Sequence, residues 1–166
     1  MLKQISFVRF IIISLALFIS FNSHAQILRI EIKATGLTCS MCSNAIFKQL
    51  KSMSEVEQVK TDLNTNTFIV SIKANQLVSP LAFRKKVEDA GFFVGSFVVV
   101  AAPEIFQNPN YIVLEGTKKN QAELRFQILD KGYVTDKAFK QLSKLHSKST
   151  SFNASNENDF HIKILN

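Results

Sequence analysis

The chain of 166 residues contains two cysteines, Cys39 and Cys42, separated by two residues. They lie in the stretch GLTCSMCSNAIFKQL, residues 36–50. Three chemistries suit such a pair: a structural disulfide, a dithiol–disulfide redox couple, or a two-thiolate grip on a metal ion. A bridge over so short a loop removes little entropy from the unfolded chain, so a purely structural staple is poorly placed. The other two roles both need the thiolate. Structural zinc sites and iron–sulfur clusters take four ligands, and no further Cys, His or carboxylate stands beside this pair in the sequence. A closed site of that kind would need a second molecule. Soft thiolates select Cu(I) among ions that accept fewer ligands.

The flanking sequence must position the pair. Residues 27–34, ILRIEIKA, alternate with Leu28, Ile30 and Ile32 on one face and Arg29, Glu31 and Lys33 on the other, which predicts a half-buried strand. Gly36 punctuates its end. A helix follows, with Cys42, Ile46, Leu50 and Met53 on one stripe, and Thr38 or Ser40 as candidate caps. Cys42 thus falls at the helix start, where unpaired amides and the dipole favour an anionic sulfur. It is expected to be partly buried, and Cys39 more exposed.

Residues 56–62 and 67–73 read as a hairpin around the turn Leu63-Asn64-Thr65-Asn66. Ser79-Pro80 opens a second helix with Phe83, Val87 and Ala90 on its buried stripe and Gly91 as a left-handed cap. Residues 96–101 form a last apolar strand. The order βαββαβ is the ferredoxin-like arrangement, an α+β sandwich with two helices on one face of an antiparallel sheet. It occupies residues 26–101. Residues 102–110 read as a linker, and 111–166 as a small ββαβ unit. In that unit 111–115 and 123–129 are strands, 135–146 a helix, 147–159 a mobile polar loop and 160–165 a strand.

Residues 1–25 read as a secretory signal. Lys3 and Arg9 precede the apolar run 10–21, and Ser23-His24-Ala25 offers a small-x-small cleavage site. The run is shorter than the roughly 20 residues of a membrane span, so the mature chain is expected to be exported, periplasmic or secreted, and not membrane-spanning. Maturation lowers the formal charge from +7 to +5. The basic residues are scattered, with Arg84-Lys85-Lys86 and Lys118-Lys119 the densest spots. Such short blocks read as solvated faces and point away from nucleic acid. His146 ends a helix where a cation suits the dipole, and His161 alternates with Phe160 and Ile162 and is expected to face solvent. No phosphate loop, nucleophile elbow or zinc-hydrolase pair is legible, and the chain reads as a non-enzyme.

Gly36-Leu37-Thr38-Cys39-Ser40-Met41-Cys42, with Ala45-Ile46 and Leu50 behind it and Val87-Glu88-Asp89-Ala90-Gly91-Phe92 later, resembles the heavy-metal-associated domain family over about residues 26–101. The resemblance implies that Cys39 and Cys42 bind Cu(I) or another soft, thiophilic ion such as mercury. It also implies a metal-donor or metal-acceptor protein as partner, such as a membrane metal transporter. Leu37 stands where the family usually has Met, and Phe92 or Phe93 stands where an aromatic side chain or Lys often lies near the metal. Met41, between the cysteines, is read as pointing to solvent. A redox protein using the same cysteines is the alternative. Thioredoxin-like chains share the spacing but usually carry a Trp before the first Cys, and this chain has no Trp. A third reading makes the C-terminal unit an interaction module.

Overall fold

The structure is a computed structural model and describes residues 27–37, 40–117, 121–154 and 156–165. The signal-like segment 1–25 lies outside the described residues. The elements run β1 (Ile27–Thr35), α1 (Ser40–Lys51), β2 (Val56–Asp62), β3 (Thr67–Ile72), α2 (Pro80–Asp89) and β4 (Phe93–Ala101). A 3-10 turn (Pro103–Gln107) leads to β5 (Tyr111–Glu115), β6 (Leu124–Ile128), α3 (Asp136–Leu145), α4 (Thr150–Ala154) and β7 (Phe160–Leu165). Among the described residues the strands form one sheet, ordered β2-β3-β1-β4-β6-β7-β5. All neighbours are antiparallel except β5 and β7, which are parallel.

The first four strands keep the ferredoxin-like order, with α1 and α2 on one face. Alternation drives this: Ile30, Ile32, Phe68, Val70, Phe97 and Val99 are fully buried and meet Ile46, Leu50, Phe83 and Val87 of the two helices. Burying each such side chain contributes about 1.5–3 kcal/mol. Ser79 caps α2 by accepting the Leu81 N–H, and Pro80 occupies the first helical position. These are the start signals the sequence carries. Two expectations for the strands change. Ile27, not Leu28, joins the buried face, because the β1–β4 register slips between Ile27 and Arg29 and the bulge turns the chain over by one residue. Strand β4 begins at Phe93 rather than 96. Gly95 lies inside it because a Cβ there would stand 2.5 Å from Thr35 Cγ2.

The C-terminal unit extends this sheet. Val98–Ala101 pair with Leu124–Gln127, Gln127 Nε2 donates to Ser96 Oγ at 3.1 Å, and Arg125 reaches across to Glu31 at 2.7 Å. The core runs on through Phe126, Ile128, Phe160 and Ile162. Tyr133 meets Phe97 and Phe160 edge-on at 5.2 and 5.9 Å. Segment 102–110 contributes to that core, since its 3-10 turn buries Ile105 and sets Phe106 against Phe126. Of the basic spots expected on solvated faces, Lys118 and Lys119 lie outside the described residues, and Arg84 does not lie on such a face. Its side chain is 14% exposed and stacks over Tyr133 at 5.1 Å. It also pairs with Glu88 and Glu157 and donates to the Lys131 carbonyl.

The stretch 147–159, expected to be a mobile loop, contains α4. One aromatic residue accounts for it. Phe152 is 1% exposed and packs against Phe139, His146 and His161 at 5.5, 5.8 and 5.2 Å. The second unit is therefore ββααβ. Its helix α3 begins with Thr135 accepting the Ala138 N–H. It runs across the sheet face opposite α1 and α2, above Glu115, Gln127 and Lys163. Among the described residues no helix is long and apolar enough to cross a membrane.

Two measurements check this packing. Phe152→Ala should lower the unfolding free energy by about 3–5 kcal/mol, read as a shift in urea midpoint. Glu115 receives Lys163 Nζ at 2.7 Å and meets His146 Nε2 at 3.1 Å. Its hydrogen bond to Lys163 holds its carboxyl below the usual glutamate range. Its stabilising contribution is therefore present above the ordinary glutamate value and is lost as pH falls through the lower folded value. Urea titrations across that acid window should show this limb in the wild type and a flatter one in Glu115→Gln.

Candidate metal centre

Strand β1 delivers the chain to Gly36, whose φ of +85° turns it back toward α1. A Cβ at Gly36 would meet only Phe92 Cδ1, at 4.0 Å, so the demand for glycine comes from the backbone and not from crowding. Leu37 then packs against the core, as expected of the apolar position before the motif. Helix α1 starts at Ser40 and places Cys42 in its first turn, half-buried. Ile46 and Leu50, one and two turns below Cys42, are fully buried. The stripe is locked into the core, which fixes the height and direction of Cys42. Met53, beyond the helix end, packs beside the same core. Cys39 and Thr38 lie outside the described residues, as does the side chain of Ser40, so the candidate caps do too.

Helix α2 supplies the other wall. It ends with Gly91 at φ +85°, and the amides of Gly91 and Phe92 donate to the carbonyls of Glu88 and Val87. This exit lays Phe92 against the core beside Gly36. Phe93, paired with Thr35 across the sheet, is 71% exposed. Of the two candidate aromatic neighbours, Phe92 is therefore the one at the root of the motif loop. Met41 is 81% exposed, in line with its reading as a solvent-facing residue. Among the described residues no three His, Cys, Asp or Glu side chains gather where they could hold a metal.

The family model described as heavy-metal-associated domain matches residues 31–93. The crystal structure of a copper binding domain from HMA7, a P-type ATPase, is 32% identical. It covers 39% of this chain and 86% of that one, with a TM-score of 0.36. Residues 31–93 belong to the heavy-metal-associated domain family. The yeast copper transporter domain Ccc2a, solved in apo and Cu(I)-loaded states, is 28% identical over 40% of this chain and 90% of that one, at a TM-score of 0.36. A chain of the Atx1–Cu(I)–Ccc2a complex matches with the same identity, coverage and score. No curated protein matches. The heavy-metal-associated segment of this chain thus spans β1 to the start of β4, and the second unit follows it.

That second unit brings together residues the sequence kept apart. His161 does not face solvent: it is 2% exposed. The alternation that put Phe160 and Ile162 in the core put His161 on the other face, and α4 covers that face. Its Nδ1 lies 2.7 Å from Asp130 Oδ1, its main-chain N–H donates to Asp130 Oδ2, and its Nε2 lies 3.0 Å from Ser151 Oγ. Burial pushes the Asp130 carboxyl up, and the hydrogen bonds from His161 oppose that shift. Residues spaced 21 and 10 apart give no sequence signal of such a cluster; a lone Phe152 in a polar run was the available hint.

The Gly36 geometry can be tested alone. Gly36→Ala should destabilise the fold by about 1–2 kcal/mol, since a left-handed conformation costs an L-residue that much. An unchanged urea midpoint would contradict the assignment of this turn.

Proposed function

We propose that the chain is an exported carrier of a soft metal ion, Cu(I) first and a Hg(II)-type ion second, held by Cys39 and Cys42. The carrying observation is Cys42 in the first turn of α1, inside a CxxC that lies in the heavy-metal-associated segment. The amides of a first helical turn favour a thiolate, and thiolate softness selects the ion class. The ion is cargo. Two ligands leave it open to a third thiolate from a partner, which binds before a Cys39 or Cys42 bond is released. The partner is accordingly a protein that presents cysteine thiolates of its own, such as a metal transporter. Transfer of this kind needs no bond chemistry beyond ligand exchange, so this segment acts without catalysis.

Export rests on the signal-like composition of residues 1–25. It adds a requirement: an oxidising compartment favours the disulfide, which has no thiolate to offer. A reductant or a reduced partner must keep the pair open. The experiment is a Cu(I) titration of the reduced protein against a competing chelator. One ion per chain should bind, and binding should vanish in the variant Cys39→Ser, Cys42→Ser. Retained binding in that variant would overturn the assignment. Fast, selective disulfide exchange with a peptide, without competitive Cu(I) binding, would favour the redox alternative.

A further inference from the structure

Asp130, Ser151 and His161 form a connected relay in the second unit, away from the cysteines in sequence. An ionised carboxylate only accepts hydrogen bonds. With Asp130 ionised, His161 carries its proton on Nδ1, 2.7 Å from Oδ1. The lone pair of Nε2 then faces the Ser151 hydroxyl at 3.0 Å. This is the order of contacts that makes a serine nucleophilic: base to hydroxyl, carboxylate to base. Such relays are recognised by geometry and roles, and chain order is free to vary.

The supports are rigid. His161 sits on β7, paired with Ile112 of β5 on one side, and its carbonyl accepts the Leu129 N–H at 2.8 Å. Asp130 is separated from the end of β6 by Leu129 alone and receives the His161 main-chain N–H at 2.6 Å. The Phe152 ring meets the imidazole edge-on at 5.2 Å and excludes water from it. Ser151 is half-buried and lies in α4 with Ser149 Oγ 3.3 Å from its own Oγ. The base is thus enclosed, its orienting acid is half-buried, and the hydroxyl stands on the other side of the imidazole.

We propose that Ser151 is a base-assisted nucleophile that accepts the acyl group of an activated carboxylic ester, with His161 as general base and Asp130 as a positioning residue. Ser151 Oγ bonds to the carbonyl carbon while its proton passes to His161 Nε2. The bond to the leaving oxygen breaks, and that oxygen departs with the electron pair, taking the proton from His161 where it needs one; where it leaves as an anion, His161 gives that proton to solvent and regains its Nε2 lone pair. Water then attacks the acyl-serine, gives its proton to Nε2 and releases the acid, and the proton returns to Ser151 Oγ. No oxidant, metal or further co-reactant enters.

The test uses p-nitrophenyl acetate and the full chain carrying Cys39→Ser and Cys42→Ser, so that thiols do not compete and the outcome is independent of metal binding. The expected result is a burst of nitrophenolate and one acetyl group on the peptide containing Ser151, located by mass spectrometry. Ser151→Ala should lose both. His161→Gln should slow the burst by about a hundredfold or more, the usual worth of a positioned base. Asp130→Asn should slow it and move the pH–rate profile, with Asp130→Glu restoring part of the rate; melting curves show which variants stay folded. Absence of acetyl at Ser151 in the parent chain, or an equal burst in folded Ser151→Ala, would overturn the proposal. An Asp130→Asn loss with an unmoved pH profile would overturn the role given to Asp130.

Discussion

The pairing of β4 with β6 is the contact on which the rest of the molecule depends. In a four-stranded ferredoxin-like sheet ordered β2-β3-β1-β4, strand β4 is an edge, with a row of unpaired amides and carbonyls. Here Val98–Ala101 are matched by Leu124–Gln127. The last residues of β4 are consequently buried on both faces, Val98 and Val100 as well as Phe97 and Val99. Once β6 is in place, β7 and β5 follow it, one core continues beneath all of them, and the opposite face gains a floor for α3 and α4. The short bonds from Gln127 to Ser96 and from Arg125 to Glu31 fix the register of that junction.

The first unit was legible because its signals are local. Alternation marked β1 and β3, Ser79-Pro80 marked the start of α2, and Gly36 and Gly91 marked the turns that frame the cysteines. Each of these depends on a few neighbouring residues and on backbone preference. What escaped the sequence depended on contacts between distant segments. A one-residue bulge in β1 exchanged Leu28 for Ile27, and only the partner strand reveals it. His161 looked solvent-facing because alternation names a face without saying what covers it. Arg84 looked like one more surface cation until the loop after β6 laid Tyr133 under its guanidinium.

The cysteine site divides in the same way. The spacing of the pair, the helix behind it and the stripe through Ile46 and Leu50 were readable, and α1 places Cys42 on that stripe in its first turn. The choice between Phe92 and Phe93 was not readable, since both are adjacent and apolar. The exit of α2 decides it by directing one ring inward beside Gly36 and leaving the other exposed. The relay of Asp130, Ser151 and His161 had no pattern at all, because its members come from a loop, a short helix and a strand that only the extended sheet brings together.

The extended sheet also sets an order of events in time. A chain emerges from its amino end, and domains commonly fold as units as they appear. The segment through β4 can bury its core before β6 has been made, since β1, β3, α1 and α2 are all present by then. During that interval β4 is a bare edge rich in valine, the kind of strand that recruits strangers. The 3-10 turn after β4 already buries Ile105, but β5 also precedes β6 in the chain, so the edge stays bare until residues 124–128 have emerged. The second unit thereby acts, whatever else it does, as a built-in guard for the strand most exposed to misassembly while the protein is still being born.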